Sequence, residues 1–278
     1  MVRIITDSAA DFEPAELERL QITCIPLSVM FGEKAYQENV DLSKQLFYEL
    51  LLGGGFPKTS QPAPQTLLDQ FEAAKEAGDE AVYVTISSGI SGTYQSACMA
   101  KMLSEYEDAY VLDSLNATGG QRILVEYAVK LRDQGKSAAE IVEALSDLRG
   151  RIVLYACMDT LEYLYRGGRI SQTAYAIGSM AQIKPIIRVE PDGKIGVPAK
   201  AMGMRKGMDI LCKRVQQQAP DSEFPLYVMY TNNPEPARKL AEKIRGLGYD
   251  VPEDRIIGVG AAIGAHIGPD ACGIVYVS

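Results

Sequence analysis

A chain of 278 residues is long for one layered core and comfortable for two. Its composition, 47% hydrophobic and 23% charged, is that of a globular α/β protein and excludes a disordered or fibrous one. The formal net charge of -8 and the scatter of Lys and Arg exclude a broad electrostatic grip on nucleic acid, although Arg166, Arg169, Lys184, Arg188, Arg205 and Lys206 fall in one stretch that can build a local basic patch.

In chain order, the opening VRIITDS reads as a strand, because Asp7 cuts off its apolar run far short of a signal-peptide core, and the cytoplasm is the expected compartment. A helix start at Pro14, a strand TCIPLSVMF and a helix over Leu42 to Leu52 follow. After a loop GGGFPKTSQPAP, apolar residues Leu67, Leu68, Phe71 and Ala74 share one helical face, then come the strand AVYVTISS, a helix from Tyr94 to Leu103 and the strand AYVLDS. Continuous apolar strands separated by helices predict a parallel, Rossmann-like sheet covered on both faces. Thr118 to Arg149 is helical in pattern, with Ser137 as an N-cap, and a domain boundary is placed near Gly150. The second half opens on the strand RIVLYACM, passes a helix containing LEYLYRGG, and reaches a β-hairpin turning at Asp192-Gly193, which makes its sheet mixed. A helix from Met204 to Gln217, the strand PLYVMYT, a helix from Pro234 to Leu247 and the strands RIIGVG and GIVYVS complete it. The fold class is therefore α/β, with two α/β domains, residues 1–150 and 151–278. No apolar run approaches the ~20 residues that span a bilayer. Five scattered cysteines without a CxxC pair read as buried free thiols, and nothing in the sequence calls for a metal.

Ligands of open parallel sheets bind beyond the carboxyl ends of the strands, which directs attention to Asp7-Ser8, Ser87-Ser88 and Asp113-Ser114. Such pairs also serve as ordinary turn and cap residues. The run Ser87-Ser88-Gly89-Ile90-Ser91-Gly92-Thr93-Tyr94 is suited to aim backbone N–H groups and the Ser91 hydroxyl at a carboxylate, while Ser91 or Thr93 can equally be a plain helix cap. Thr59 and Ser60 stand between Pro57 and Pro62, which stiffen their backbone. Pro57 sits where a phosphate loop needs glycine, so a nucleotide site is rejected there. His266, the sole histidine, lies between Gly264 and Gly268 in what reads as a sharp loop; there it can be a satisfied polar group or a ligand contact.

Taken together and in order, TDSAAD, PKTSQP, SSGISGTYQSA, LDS, YLYRGGRIS, IKPII and HIGPDACG resemble the DegV family from Asp7 to Gly273. Gly89 departs from a position where relatives often carry lysine, a change expected to loosen that turn. The resemblance implies two α/β domains enclosing a long-chain fatty acid such as palmitate, with its carboxylate on Thr59 and Ser91 and with Ser60 and Gly92 beside them. It further implies that the chain is a carrier rather than an enzyme, presenting the acid to a separate ATP-dependent fatty acid kinase that holds the nucleotide. No cofactor is then needed beyond the bound acid. His266 is implicated in presenting the head group, and Arg169 and Arg205 in docking the kinase. Met180, Met202 and Ile186 are expected to set the depth of the pocket. Without a basic amphipathic helix, any membrane contact during loading would be transient. Two rivals stand beside this reading: an acyl hydrolase with Ser91 as nucleophile and His266 as base, although Gly89-Ile90-Ser91-Gly92-Thr93 lacks the outer glycine of a nucleophile elbow, and a binder of some other amphipathic molecule.

Overall fold

The computed structural model describes residues 1–178 and 182–278. In chain order the elements are β1 (Val2–Asp7), α1 (Pro14–Leu20), β2 (Ile22–Ile25), β3 (Ser28–Phe31), β4 (Lys34–Gln37), α2 (Lys44–Leu52), β5 (Lys58–Ser60), α3 (Pro64–Ala77), β6 (Glu80–Thr85), α4 (Thr93–Ser104), β7 (Ala109–Asp113), α5 (Thr118–Asp133) and α6 (Ala138–Arg149). The second half adds β8 (Ile152–Cys157), α7 (Glu162–Arg166), α8 (Gln172–Gly178), β9 (Ile183–Val189), β10 (Ile195–Met202), α9 (Met204–Gln217), β11 (Tyr227–Tyr230), α10 (Glu235–Arg245), β12 (Ile256–Gly258), α11 (Ala261–Ile267) and β13 (Cys272–Val277).

Strands β2-β1-β6-β7 form a wholly parallel sheet, and β10-β9-β8-β13-β11-β12 form a mixed one in which only β11 and β12 run parallel. Both agree with the sequence reading. The β9–β10 hairpin turns at Asp192-Gly193, where Gly193 has a φ of +76° that a side chain would resist. Ser137 caps α6 in a reciprocal capping box with Glu140.

Two segments differ from expectation. TCIPLSVMF is two strands, because Pro26 has no N–H for a ladder; β2 stays in the parallel sheet while β3 starts a separate antiparallel sheet, β4-β3-β5. The segment read as a loop around PKTSQP contains the third strand of that sheet, in which Thr59 pairs with Val29.

The parallel and mixed sheets share one hydrophobic core through α5. Ile4, Val82 and Val84 of the parallel sheet, Ile123 and Leu124 of α5, and Leu154, Met229 and Val275 of the mixed sheet belong to a single buried cluster. Residues 118–125 of α5 are buried on every side, as a position between two sheets demands, and they include Gln121 and Arg122 beside the apolar residues. Helix α11 is likewise drawn into the first half, with Ala261 and Ala265 packed among Val29, Leu42, Phe47 and Tyr48.

Candidate functional site

Between the two large sheets lies a cavity of about 390 Å³. Leu27, Ile86 and Ile90 form one wall; Leu154, Ile187 and Met229 form another; Ala262 and Ile263 of α11 close a third. Its polar lining includes Thr59, Ser60, Gln61, Ser91, Gly92, Arg169 and His266. A mostly apolar hollow with a few convergent polar groups is the usual form of a small-molecule site.

The polar groups are contiguous. Thr59 Oγ1 lies 2.7 Å from His266 Nε2. The other face of the imidazole covers Gly167, where a Cβ would overlap Nδ1. Arg169 donates to the Gly167 carbonyl and, from Nε at 3.0 Å, to the Ile90 carbonyl beside Ser91. Gly92 in turn packs on the Gln61 amide, which returns to Thr59 through Ser60 and also donates to Ser96 Oγ at 2.6 Å. Thr59, His266, Gly167, Arg169, Ile90, Gly92 and Gln61 thus close a ring, and all four pieces of chain that build it come from different parts of the sequence.

Several sequence expectations are corrected by this geometry. His266 is not in a loop but in the last turn of α11; its neighbour Gly264 serves a close crossing, since a Cβ there would stand 2.7 Å from the Phe47 ring and 2.9 Å from the Tyr48 hydroxyl. The loop after β6 does not offer a nest of free amides. Ser88 N–H is engaged by Asp113, Gly89 N–H by the Ser87 hydroxyl, and the Ile90 and Ser91 N–H groups by the Ser87 carbonyl. Among residues 88–92 only Gly92 keeps an unengaged N–H, so hydroxyls carry most of the donor capacity. Gly89 does not loosen the turn: a Cβ would lie 2.7 Å from the backbone of Gly193, and Ser87 Oγ donates to the Gly193 carbonyl at 2.8 Å, so the hairpin is seated on this glycine. Asp7, Ser87, Asp113 and Ser114 all brace turns. Ser91 Oγ meets Thr93 Oγ1 at 2.9 Å and accepts from Thr93 N–H at 3.3 Å, so it braces the start of α4 while also lining the cavity.

Depth is set by other residues than those named from sequence. Met180 lies outside the described residues, Met202 is 57% exposed, and Ile186 points to the opposite face of its sheet, against Cys157 and Leu211. Alternation along β9 gives the cavity Ile187 instead. Arg205 is exposed at the start of α9 and does not line the cavity, whereas Arg169 is half-buried in it. Gln61, Gly167 and Met229 were not singled out from sequence; the first two stand inside quoted motifs, and Met229 had no local signal.

Burial pushes the His266 imidazole down to about 4, with the charge of Arg169 acting in the same direction. The ring is therefore neutral near pH 7. Its Nδ1 is buried without a partner. Orphaned buried N–H groups are rarer than orphaned acceptors, which assigns the proton to Nε2. Nε2–H then donates to Thr59 Oγ1 and leaves the threonine hydroxyl proton for a ligand. A serine nucleophile would need this histidine as its base, but His266 bonds Thr59 and Ser91 bonds Thr93, so the hydrolase dyad is not formed.

The histidine also makes a stability prediction. Below pH 6.5 the unfolded chain takes up a proton that the folded chain refuses until about 4. Stability is then lost as pH falls through that window, by about 3 kcal/mol for this group alone. A nuclear magnetic resonance titration of the single imidazole, read at the ring nitrogens whose shifts report protonation itself, should give a protonation midpoint near 4; protonation of the ring at or above 6.5 would contradict the burial described here.

The comparisons with known proteins bear on the same geometry. The family model described as an uncharacterised protein of the DegV family matches residues 1–278. A DegV domain-containing protein of Clostridium perfringens is 34% identical over 281 residues, covering 99% of this chain and 96% of the relative. A fatty-acid-binding DegV family protein from Thermus thermophilus superposes with a TM-score of 0.91 at 26% identity, covering 100% of this chain and 99% of that one. A stearic acid-binding protein from Eubacterium ventriosum gives a TM-score of 0.89 at 28% identity, covering 100% and 98%. Family model, full-length relatives and the arrangement of a parallel and a mixed sheet agree, and this chain belongs to the DegV family.

Proposed function

We propose that this chain binds one long-chain fatty acid, such as palmitate, in the cavity between lobes of residues 1–150 and 151–278. Its carboxylate would take hydrogen bonds from the Thr59 and Ser91 hydroxyls and the Gly92 N–H, with Ser60 alongside and His266 fixing the threonine proton. The observation that carries this reading is the closed ring of polar groups set in an otherwise apolar cavity of about 390 Å³. That solved relatives of the same fold are described as binding fatty acids, stearic acid among them, supports it.

Burying an acyl tail gains about 0.8 kcal/mol per methylene, so roughly fourteen of them contribute on the order of 11 kcal/mol before the costs of association. The tail supplies most of the affinity. Hydroxyls hold the carboxylate more loosely than a bidentate arginine would, which suits a head group that must later react. In the carrier role, a separate ATP-dependent fatty acid kinase would phosphorylate the presented carboxylate, docking on Arg169 and Arg205, while this chain supplies no cofactor and no catalytic residue. Arg205 is exposed and free of any ion pair among the described residues, as a docking group should be. The compartment would be the cytoplasm, with only transient membrane contact; no helix among the described residues is long and apolar enough to cross a membrane.

The test is to denature the purified chain, extract it with organic solvent and identify what it carried by mass spectrometry. Near-stoichiometric long-chain fatty acid is the expected result. A different amphipathic molecule at that stoichiometry, or an empty protein that palmitate fails to saturate, would overturn it.

A further inference from the structure

His266 depends on where α11 is held, and α11 is short. It spans seven residues, and its N-terminal residue Gly260 has no side chain to cap it. Its first N–H groups are taken by two carboxylates from far away in the sequence. Asp11 Oδ1 accepts from Gly260 N–H at 2.8 Å, and Glu38 Oε1 accepts from Ala262 N–H at 3.2 Å. Glycine at 260 is what lets both approach, since a Cβ there would overlap Glu38 Oε1 and stand 2.9 Å from Asp11 Oδ1. Each carboxylate is only 2% exposed. The second oxygen of Asp11 accepts from the hydroxyl of Thr118, a cavity-lining residue, while Glu38 Oε2 has no partner.

Two acidic groups at one buried helix end share the positive end of the same dipole and repel each other. Lys44 of α2 donates to the Gly258 carbonyl at 2.8 Å just before the helix, and reaches the Asp11 carbonyl at 3.5 Å rather than either carboxylate. The other charged or titratable groups facing the pair are Tyr48 on α2, Arg122 on α5, Asp7 at the end of β1 and Cys24 on β2. Burial, with repulsion from Asp11 second, pushes Glu38 up to about 7; burial also raises Asp11, opposed first by Lys44. Asp7 is raised to about 6 by burial, but its bonds run to Ile86, Ala9 and Gln121, away from α11.

We propose that Asp11 and Glu38 are positioning residues for the head-group site: ionised, they hold α11 so that His266 meets Thr59, and protonation of the pair loosens the helix and weakens the grip on a bound acid. The second half of this statement rests on the fatty-acid reading; the first half does not. Because the two carboxylates interact, the pair and not either residue alone defines the titration.

The only histidine in the chain is the reporter. In ligand-free protein with isotope-labelled histidine, the imidazole resonances should step as pH falls through about 7, well above the protonation of the ring itself at about 4. The step should vanish in Glu38→Gln, move but survive in Glu38→Asp, and persist in Asp7→Asn. Hexadecanesulfonate, whose head group stays ionised throughout, then tests the second half: it should leave the wild type about tenfold faster at pH 6 than at pH 8, and leave Glu38→Gln at a rate independent of pH. A wild-type imidazole signal that is flat down to pH 5.5, or a step that persists in Glu38→Gln, overturns the proposal. A step that behaves as described without sulfonate binding at any pH supports the positioning role and overturns the fatty-acid reading.

Discussion

Replacing Thr59 and Ser91 together by alanine is expected to lower affinity for palmitate by roughly 10²- to 10⁴-fold while leaving the protein folded. Each hydroxyl bond to a charged group contributes about 1.5–3 kcal/mol, and two together give ~3–6 kcal/mol, with each 1.4 kcal/mol a factor of ten. The loss has a second source, because without Thr59 the His266 Nε2–H has no acceptor and the ring is free to turn. Hexadecanol separates head-group loss from general damage. It shares the tail but has no charge to satisfy, so its affinity should change by less than about tenfold in the same variant. Competitive displacement of a fluorescent fatty acid measures both. Equal losses for acid and alcohol would mean that the cavity had collapsed and that these hydroxyls do not define a carboxylate site.

The pH behaviour of the molecule follows from groups that pull in opposite directions. Asp7 and Glu38, whose folded values are raised, contribute stability that is present at low pH and lost as pH rises through about 6 and 7. His266, whose folded value is lowered, does the reverse between 6.5 and about 4. Between about pH 4.5 and 6.5 stability should therefore vary less with pH than Asp7 and Glu38 together imply, whereas the local tie between α11 and the head group should not be so compensated.

What was legible in the sequence is what depends on local pattern. The apolar strands ending in TDS, TISS and LDS, the Ser137 cap and the Asp192-Gly193 hairpin all declare themselves within a few residues, and each appears where expected. The residues of the polar ring were legible as motifs, but the ring was not. Thr59 meets His266 across 207 positions of chain, and nothing local says so. The glycines misled for a physical reason. Gly264 and Gly89 look like turn residues, yet each marks a place where another element comes too close for a side chain: Phe47 and Tyr48 on α2, and the backbone of the β9–β10 turn. Ile186 and Ile187 stand one residue apart, which in a strand is a change of face, so the cavity meets Ile187 and not the expected Ile186.

The same logic predicts a substitution with a large effect on stability. Gly119 lies in the first turn of α5, where that helix presses on the mixed sheet; a Cβ would stand 2.5 Å from Val275 Cγ1 and 3.2 Å from Met229 Sδ. Val275 is fully buried on a central strand, so it cannot swing away as a surface side chain would. Gly119→Val should be destabilising by about 2–3 kcal/mol, because an overlap this close with a fixed neighbour puts overpacking at about 3 kcal/mol, the top of its usual range, and β-branched valine recovers less than the ~0.5–1 kcal/mol that alanine gains over glycine in a helix. For a chain of this size each kcal/mol lowers Tm by about 2–4 °C, so calorimetry should show a drop of roughly 4–12 °C. Met229 also lines the cavity, and displacing it should slow palmitate uptake or shorten the preferred chain. If instead Tm is unchanged or rises, α5 is free to back away from the mixed sheet, and the shared core is looser than its packing implies. A cavity walled by both sheets would then have to be held by the hairpin seated on Gly89 and by α11 in its cluster of first-half residues, not by the helix between the sheets.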